Sequence, residues 1–114
     1  MESAQDALPC VSGTPRDLLL KALDDPFPIV RGYAIQTLAR LGFRDSRLLI
    51  QNLLAREKDP MVLRKAAESL GQIGMPDSIK LLESKIKDVR AQENQIVRSA
   101  YRSAIREIQE RYGI

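Results

Sequence analysis

The chain has 114 residues, with 18 Lys and Arg against 15 Asp and Glu, one Cys and no His. A net charge of +3 is far from the one-sided excess of a dedicated nucleic-acid binder, and a single cysteine excludes an internal disulfide. Without histidine, Ser-His-Asp and Cys-His catalysis in their usual forms are excluded, as is the commonest zinc and iron ligand. Trp is absent and only five residues are Tyr or Phe, so a core must be built from Leu, Ile, Val and Ala, which suits closely packed helices.

Residues 1–13 carry Glu2, Asp6, Pro9 and Gly13 and lack the basic region and apolar run of a signal peptide. They read as a flexible leader, and Cys10 within them has no basic neighbour to activate it, so it is expected to be inert. No window approaches the roughly 18 apolar residues of a membrane span. The expectation is a cytoplasmic protein.

Thr14-Pro15-Arg16-Asp17 reads as a helix start: Thr14 caps, Pro15 takes the first helical position and Asp17 reaches back to free N–H groups. Leu18, Leu19, Ala22 and Leu23 give that helix one apolar face, and Asp24-Asp25-Pro26-Phe27-Pro28 stops it. A second helix is expected over 28–41, burying Ile29, Val30, Ala34, Leu38 and Leu41, with Gly42 as terminator. The next pair carries Leu48, Leu49, Leu53 and Leu54, then Val62, Leu63, Ala66, Ala67, Leu70 and Ile73 before Gly74. A third pair is expected over 76–89, with Ile79, Leu82 and Ile86, and from about Ile96 to Tyr112, burying Ile96, Val97, Ala100, Tyr101, Ala104, Ile105 and Ile108.

These segments repeat. Pro28, Val30, Ala34, Leu38, Leu41 and Gly42 recur 32 residues later as Pro60, Val62, Ala66, Leu70, Ile73 and Gly74, and a 34-residue step then places Ile96, Arg98 and Ala100 opposite Val62, Arg64 and Ala66. A fixed period in this range marks a repeat protein whose units bury their faces only by stacking. The fold class is therefore all-α, a short α-solenoid of about six helices in three antiparallel pairs. Residues 14–114 form one domain, with repeats at about 14–42, 43–74 and 75–112.

Asp25-Pro26, Val30-Arg31, Ala34, Leu38 and Leu41-Gly42, then Asp59-Pro60, Val62, Ala66-Ala67 and Leu70-Gly71-Gln72-Ile73-Gly74, resemble HEAT repeats. They are most similar to the short bacterial subtype named for phycobilisome-lyase proteins. The resemblance implies an interaction module, with a phycobilisome-related factor (a bilin lyase subunit or chaperone, or a turnover factor) as the alternative. In that family Arg follows the Val of the second helix and pairs with Asp between repeats. Arg31 matches, whereas Leu63 stands at the equivalent place in the second unit, with Arg64 one step later. The iron-binding hydroxylase branch uses His-Glu motifs, and this chain has none.

The residues call for no catalytic group, metal or cofactor. Asp24 and Asp25 read as a solvated turn, and Gly71 and Gly74 lie at a helix end rather than in a phosphate loop. What remains is the outer face of the second helices, which lines the concave side of HEAT-like folds. Tyr33, Lys65 and Ser99, then Gln36, Glu68 and Arg102, then Arg40, Gln72 and Arg106 are expected to form lateral rows for partner contact. Arg98, Arg102 and Arg106 share one strip of the last helix, which reads either as a carboxylate grip or as the polar cap a solenoid needs. The partner expected is another protein with an acidic surface. Near-balanced charge argues against nucleic acid, and the two open ends allow a homodimer that no residue singles out.

Overall fold

The computed structural model describes residues 14–88 and 94–114. The expected leader with Cys10, and most of the last connection, lie outside the described residues. Among these, six α-helices and no strand occur: α1 Pro15–Ala22, α2 Pro28–Arg40, α3 Arg47–Arg56, α4 Pro60–Ile73, α5 Pro76–Ile86 and α6 Gln95–Tyr112, with a 3-10 turn Arg44–Ser46 before α3.

Proline punctuates this chain, opening α1, α2, α4 and α5 where its missing N–H costs nothing. Thr14 and Asp17 form the expected capping box on α1, each accepting the other's backbone N–H at 3.2 Å. Asp59 caps α4 by accepting from the N–H groups of Met61 and Val62, and Asn94 caps α6 by accepting from that of Val97. Gly42 terminates the second helical segment with a positive φ of 78°, as expected. Its repeat equivalent Gly74 does not, having φ −69° and ψ 161°. There the requirement is space, because a Cβ would stand 2.3 Å from the Leu70 carbonyl oxygen and 2.8 Å from Ile108 Cδ1.

Three helix pairs stack, and α4 lies at the centre, packed on α3 within its own repeat and on α2 and α6 to either side. This position explains why Val62, Leu63, Ala66, Ala67, Leu70 and Ile73 are all buried. In α2 the buried set is Ala34, Ile35, Leu38 and Ala39, whereas Ile29 and Leu41 are more than half exposed, against expectation. The stripe is rotated toward α4, the only second helix packed beside α2 among the described residues. In α3 the 3-10 turn delays the helix to Arg47, so Ile50, Leu53 and Leu54 face inward while Leu48 and Leu49 are exposed. Leu18 and Ile96 are also exposed, while Val97, Tyr101, Ala104 and Ile108 carry the buried face of α6.

Tyr101 is fully buried, and its hydroxyl has no hydrogen-bond partner among the described residues. Burial, with the nearby charge of Asp88 adding to it, pushes its phenol up to about 12. An unpaired buried hydroxyl is a cost, so Tyr101→Phe is expected to hold stability level or raise it by up to about 1 kcal/mol in urea denaturation. A loss above that size would show that the hydroxyl has a partner.

Polar ties run between the repeats. Arg16 pairs with Asp45, and Arg47 pairs with Asp77 at 2.8 Å, so the first helices carry a repeating Arg–Asp ladder. At the second helices the Arg31 guanidinium grips Glu57 with both Nε and Nη2 at 2.9 Å, and Nη1 donates to the carbonyls of Asp25 and Pro26. The resemblance implied an aspartate partner here; the carboxylate is glutamate. Glu57 also accepts from the N–H groups of Lys58 and Asp59. Burial alone would raise the Glu57 carboxyl, but the Arg31 and backbone hydrogen bonds and the Arg31 charge together hold it below the usual carboxylate range.

Candidate functional site

The second helices α2, α4 and α6 present their outer faces side by side. Lys65 of α4 reaches back to α2, where its ammonium donates to Gln36 Oε1 at 3.2 Å and lies 5.8 Å from the Tyr33 ring centroid. The close approach depends on Gly32, since a Cβ there would meet Lys65 Cδ at 2.9 Å. Tyr33, Gln36 and Lys65 are thus brought together, with the ring beside the cation.

Between α4 and α6 runs an open groove of about 400 Å³, where Arg64 and Glu68 face Gln95, Ile96, Ser99 and Ser103. It continues for about 250 Å³ past Met61, Asn94 and Val97. Ile96 is 66% exposed beside it, the largest apolar group on this face of α6. Arg40 and Gln72 are exposed. Sequence reasoning missed Arg64 and Ile96, having treated the first as a displaced family arginine and the second as core.

The residues that line this groove include none of the arginines Arg98, Arg102 and Arg106. Ala104 and Glu107 of α6 stand beside Gly71 of α4, and Arg111 donates to the carbonyls of Gly71 and Gly74. At 100° per residue, Arg98 and Arg102 stand at least about 120° around the helix from Ala104 and Glu107. On the same wheel Arg102 and Arg106 each stand about 20° from a groove-lining residue, Gln95 and Ser99 respectively.

Charge pairing separates the two sides of the molecule. Arg16, Arg31, Arg47 and Arg56 all form ion pairs, whereas Arg40, Arg64, Arg102 and Arg106 form none among the described residues. The other sizeable recess, about 420 Å³ at the α1–α2 and α3–α4 turns, holds Arg31, Arg56 and Lys58 against Asp24, Asp25 and Glu57. Within it Arg31 pairs with Glu57 and Arg56 with Asp24. The described residues contain no cluster of acidic or cysteine side chains able to hold a metal ion, and no helix long and apolar enough to cross a membrane.

Antiparallel helix pairs stacked at a regular period, with proline-started second helices and inter-repeat ion pairs, define a short α-solenoid. Residues 16–106 match the family described as HEAT repeats, and the chain belongs to that family. The match is to HEAT repeats as such and does not reach the phycobilisome-lyase-like subtype. Neither the curated proteins nor the solved structures compared with the chain include a match. HEAT repeats generally mediate protein–protein interaction.

Proposed function

We propose that this protein is a non-catalytic interaction module, an adaptor or scaffold, that binds a segment of another protein along the outer face of its second helices. The observation that carries this reading is Arg64, which forms no ion pair among the described residues, in the groove where Ile96 is exposed. That combination fits a segment bearing carboxylates beside an apolar anchor. The carboxylates would be taken by Arg64, Arg40 and Lys65, and the apolar side chain by the Ile96–Met61 part of the groove. Gln36, Glu68, Gln72, Ser99 and Ser103 supply hydrogen bonds along the path, and Glu68 selects against a uniformly acidic surface. Arg98 and Arg102 are read as the polar cap of the final repeat.

Affinity purification with wild-type protein and with an Arg64→Glu/Lys65→Glu variant tests the assignment. The variant is expected to lose a partner that wild type captures, Ile96→Asp to weaken it, and Arg98→Glu/Arg102→Glu to retain it. Identical capture by wild type and the Arg64/Lys65 variant would sink the assignment of this face.

A further inference from the structure

The two ends of the solenoid differ in chemistry. On α4, the row Met61, Lys65, Ser69 and Ile73 is covered by α2: Gly32 lies over Lys65 and Met61, and Ser69 Oγ donates to the Ile35 carbonyl. Shifted back by one 32-residue repeat, the same row on α2 is Ile29, Tyr33, Thr37 and Leu41. Among the described residues no second helix of another repeat packs on that row. Ile73 is 3% exposed, whereas Leu41 is 56%, Tyr33 63% and Ile29 59% exposed. The residues are spaced by four, which makes them one continuous ridge of the kind that packs into the groove of another helix. That ridge carries no charge. At the other end, the spacing of four in α6 gives Arg98, Arg102, Arg106 and Glu110.

We propose that the α2 ridge is a homotypic interface, through which two copies of this chain pair first repeat to first repeat. Charge chooses the occupant. Head-to-tail stacking would bury the α6 arginines against an apolar ridge without partners, and pairing two α6 ends would set like charges together. The uncharged ridge is the one end that a two-fold axis can bring against itself without repulsion, with the i±4n rows of both helices interdigitating. Its exposed apolar side chains offer on the order of 400 Å² per copy, set against about 800 Å² per partner in a standard interface. The dimer is therefore weak and dissociates on dilution. Pairing covers the outer side of Tyr33 and leaves the α4–α6 groove open, so it does not depend on the partner reading above.

Sedimentation equilibrium of the full chain over a dilution series reaching millimolar concentration tests this. Wild type is expected to move from its monomer mass of 12.8 kDa toward twice that value as concentration rises. Leu41→Lys is expected to weaken association at least about tenfold, the equivalent of losing one well-packed contact. Tyr33→Gln, a change at an exposed position with little bearing on folding, is expected to do the same, and Arg102→Glu to leave association unchanged. A monomer at every concentration, or a dimer that persists in folded Leu41→Lys or Tyr33→Gln protein, overturns the proposal. So does a dimer lost on Arg102→Glu, which would place the contact at the opposite end.

Discussion

Arg31→Met is expected to destabilise the fold by about 3 kcal/mol or more at neutral pH, because it strips a buried carboxylate of its cation. The Glu57 side chain is 4% exposed and that of Arg31 is 17%, so water cannot replace the lost bonds. What stays behind at Glu57 is two backbone N–H groups, from Lys58 and Asp59. The pH dependence should change sign as well. In the wild type the Glu57 carboxyl lies below its ordinary value, so its contribution is present above about pH 4.3 and is lost as pH falls through the depressed folded value. Without Arg31, burial is the largest remaining influence, opposed only by the two backbone N–H groups, and the folded carboxyl is expected to move above its ordinary value. Its destabilising effect is then absent in acid and grows as pH rises through that raised value. Chemical denaturation across a pH series would show the wild type losing stability in acid and the variant losing less or gaining. Arg31→Met/Glu57→Met should recover most of the loss, since no uncompensated charge remains. A single variant within about 1 kcal/mol of wild type, with an unchanged acid limb, would mean that the pair does not stabilise the repeat junction.

Gly74→Ala is expected to cost about 2–3 kcal/mol, more than Gly42→Ala, although the two glycines occupy the same repeat position. At Gly74 the obstacle is backbone: a Cβ would lie 2.3 Å from the Leu70 carbonyl oxygen, which already accepts the Gly74 N–H at 2.6 Å. Moving it would also disturb the Gly74 carbonyl that Arg111 holds at 2.7 Å. At Gly42 a Cβ would meet nothing within 4 Å, and the whole cost is the left-handed φ, about 1–2 kcal/mol. Asparagine separates the two causes, because it tolerates φ > 0 but still carries a Cβ. Gly42→Asn should be nearly neutral and Gly74→Asn at least as harmful as alanine. Equal losses at the two sites would refute the steric reading of Gly74.

These two sites mark how far the sequence could be read. Local signals were legible: the Thr14-Pro15-Asp17 start, the Asp59-Pro60 turn and the 32-residue period from Pro28 to Pro60 all depend on neighbours in the chain. Ala34 and Ala66 are buried as their place in the period implies, and Ala100 is partly buried. What was not legible depends on residues distant in sequence. Glu57 reads as one more charge in Arg56-Glu57-Lys58-Asp59 until Arg31, 26 residues away, folds over it. Arg111 is one charge among many on α6 until it meets two carbonyls of α4. The exposure of Ile29, Leu41 and Ile96 has the same origin. Periodicity tells which face of a helix is apolar, but it does not count the neighbours available to cover that face, and end repeats have fewer. The site shows this too, since the closeness of Ala104 and Glu107 of α6 to Gly71 of α4 follows from packing between segments distant in sequence.

The central place of α4 has a further consequence, for cooperativity. Because α4 is shared by two repeat interfaces, no cut divides this chain into halves that each keep a complete core. α1, eight residues with none fully buried, belongs to one repeat only and can fray without disturbing the rest. Opening of α4, by contrast, removes the support of α2 and α6 at once and amounts to global unfolding. Among the described helices, hydrogen–deuterium exchange is therefore expected to be slowest in α4 and fastest in α1, a gradient set by stacking order rather than by helix propensity.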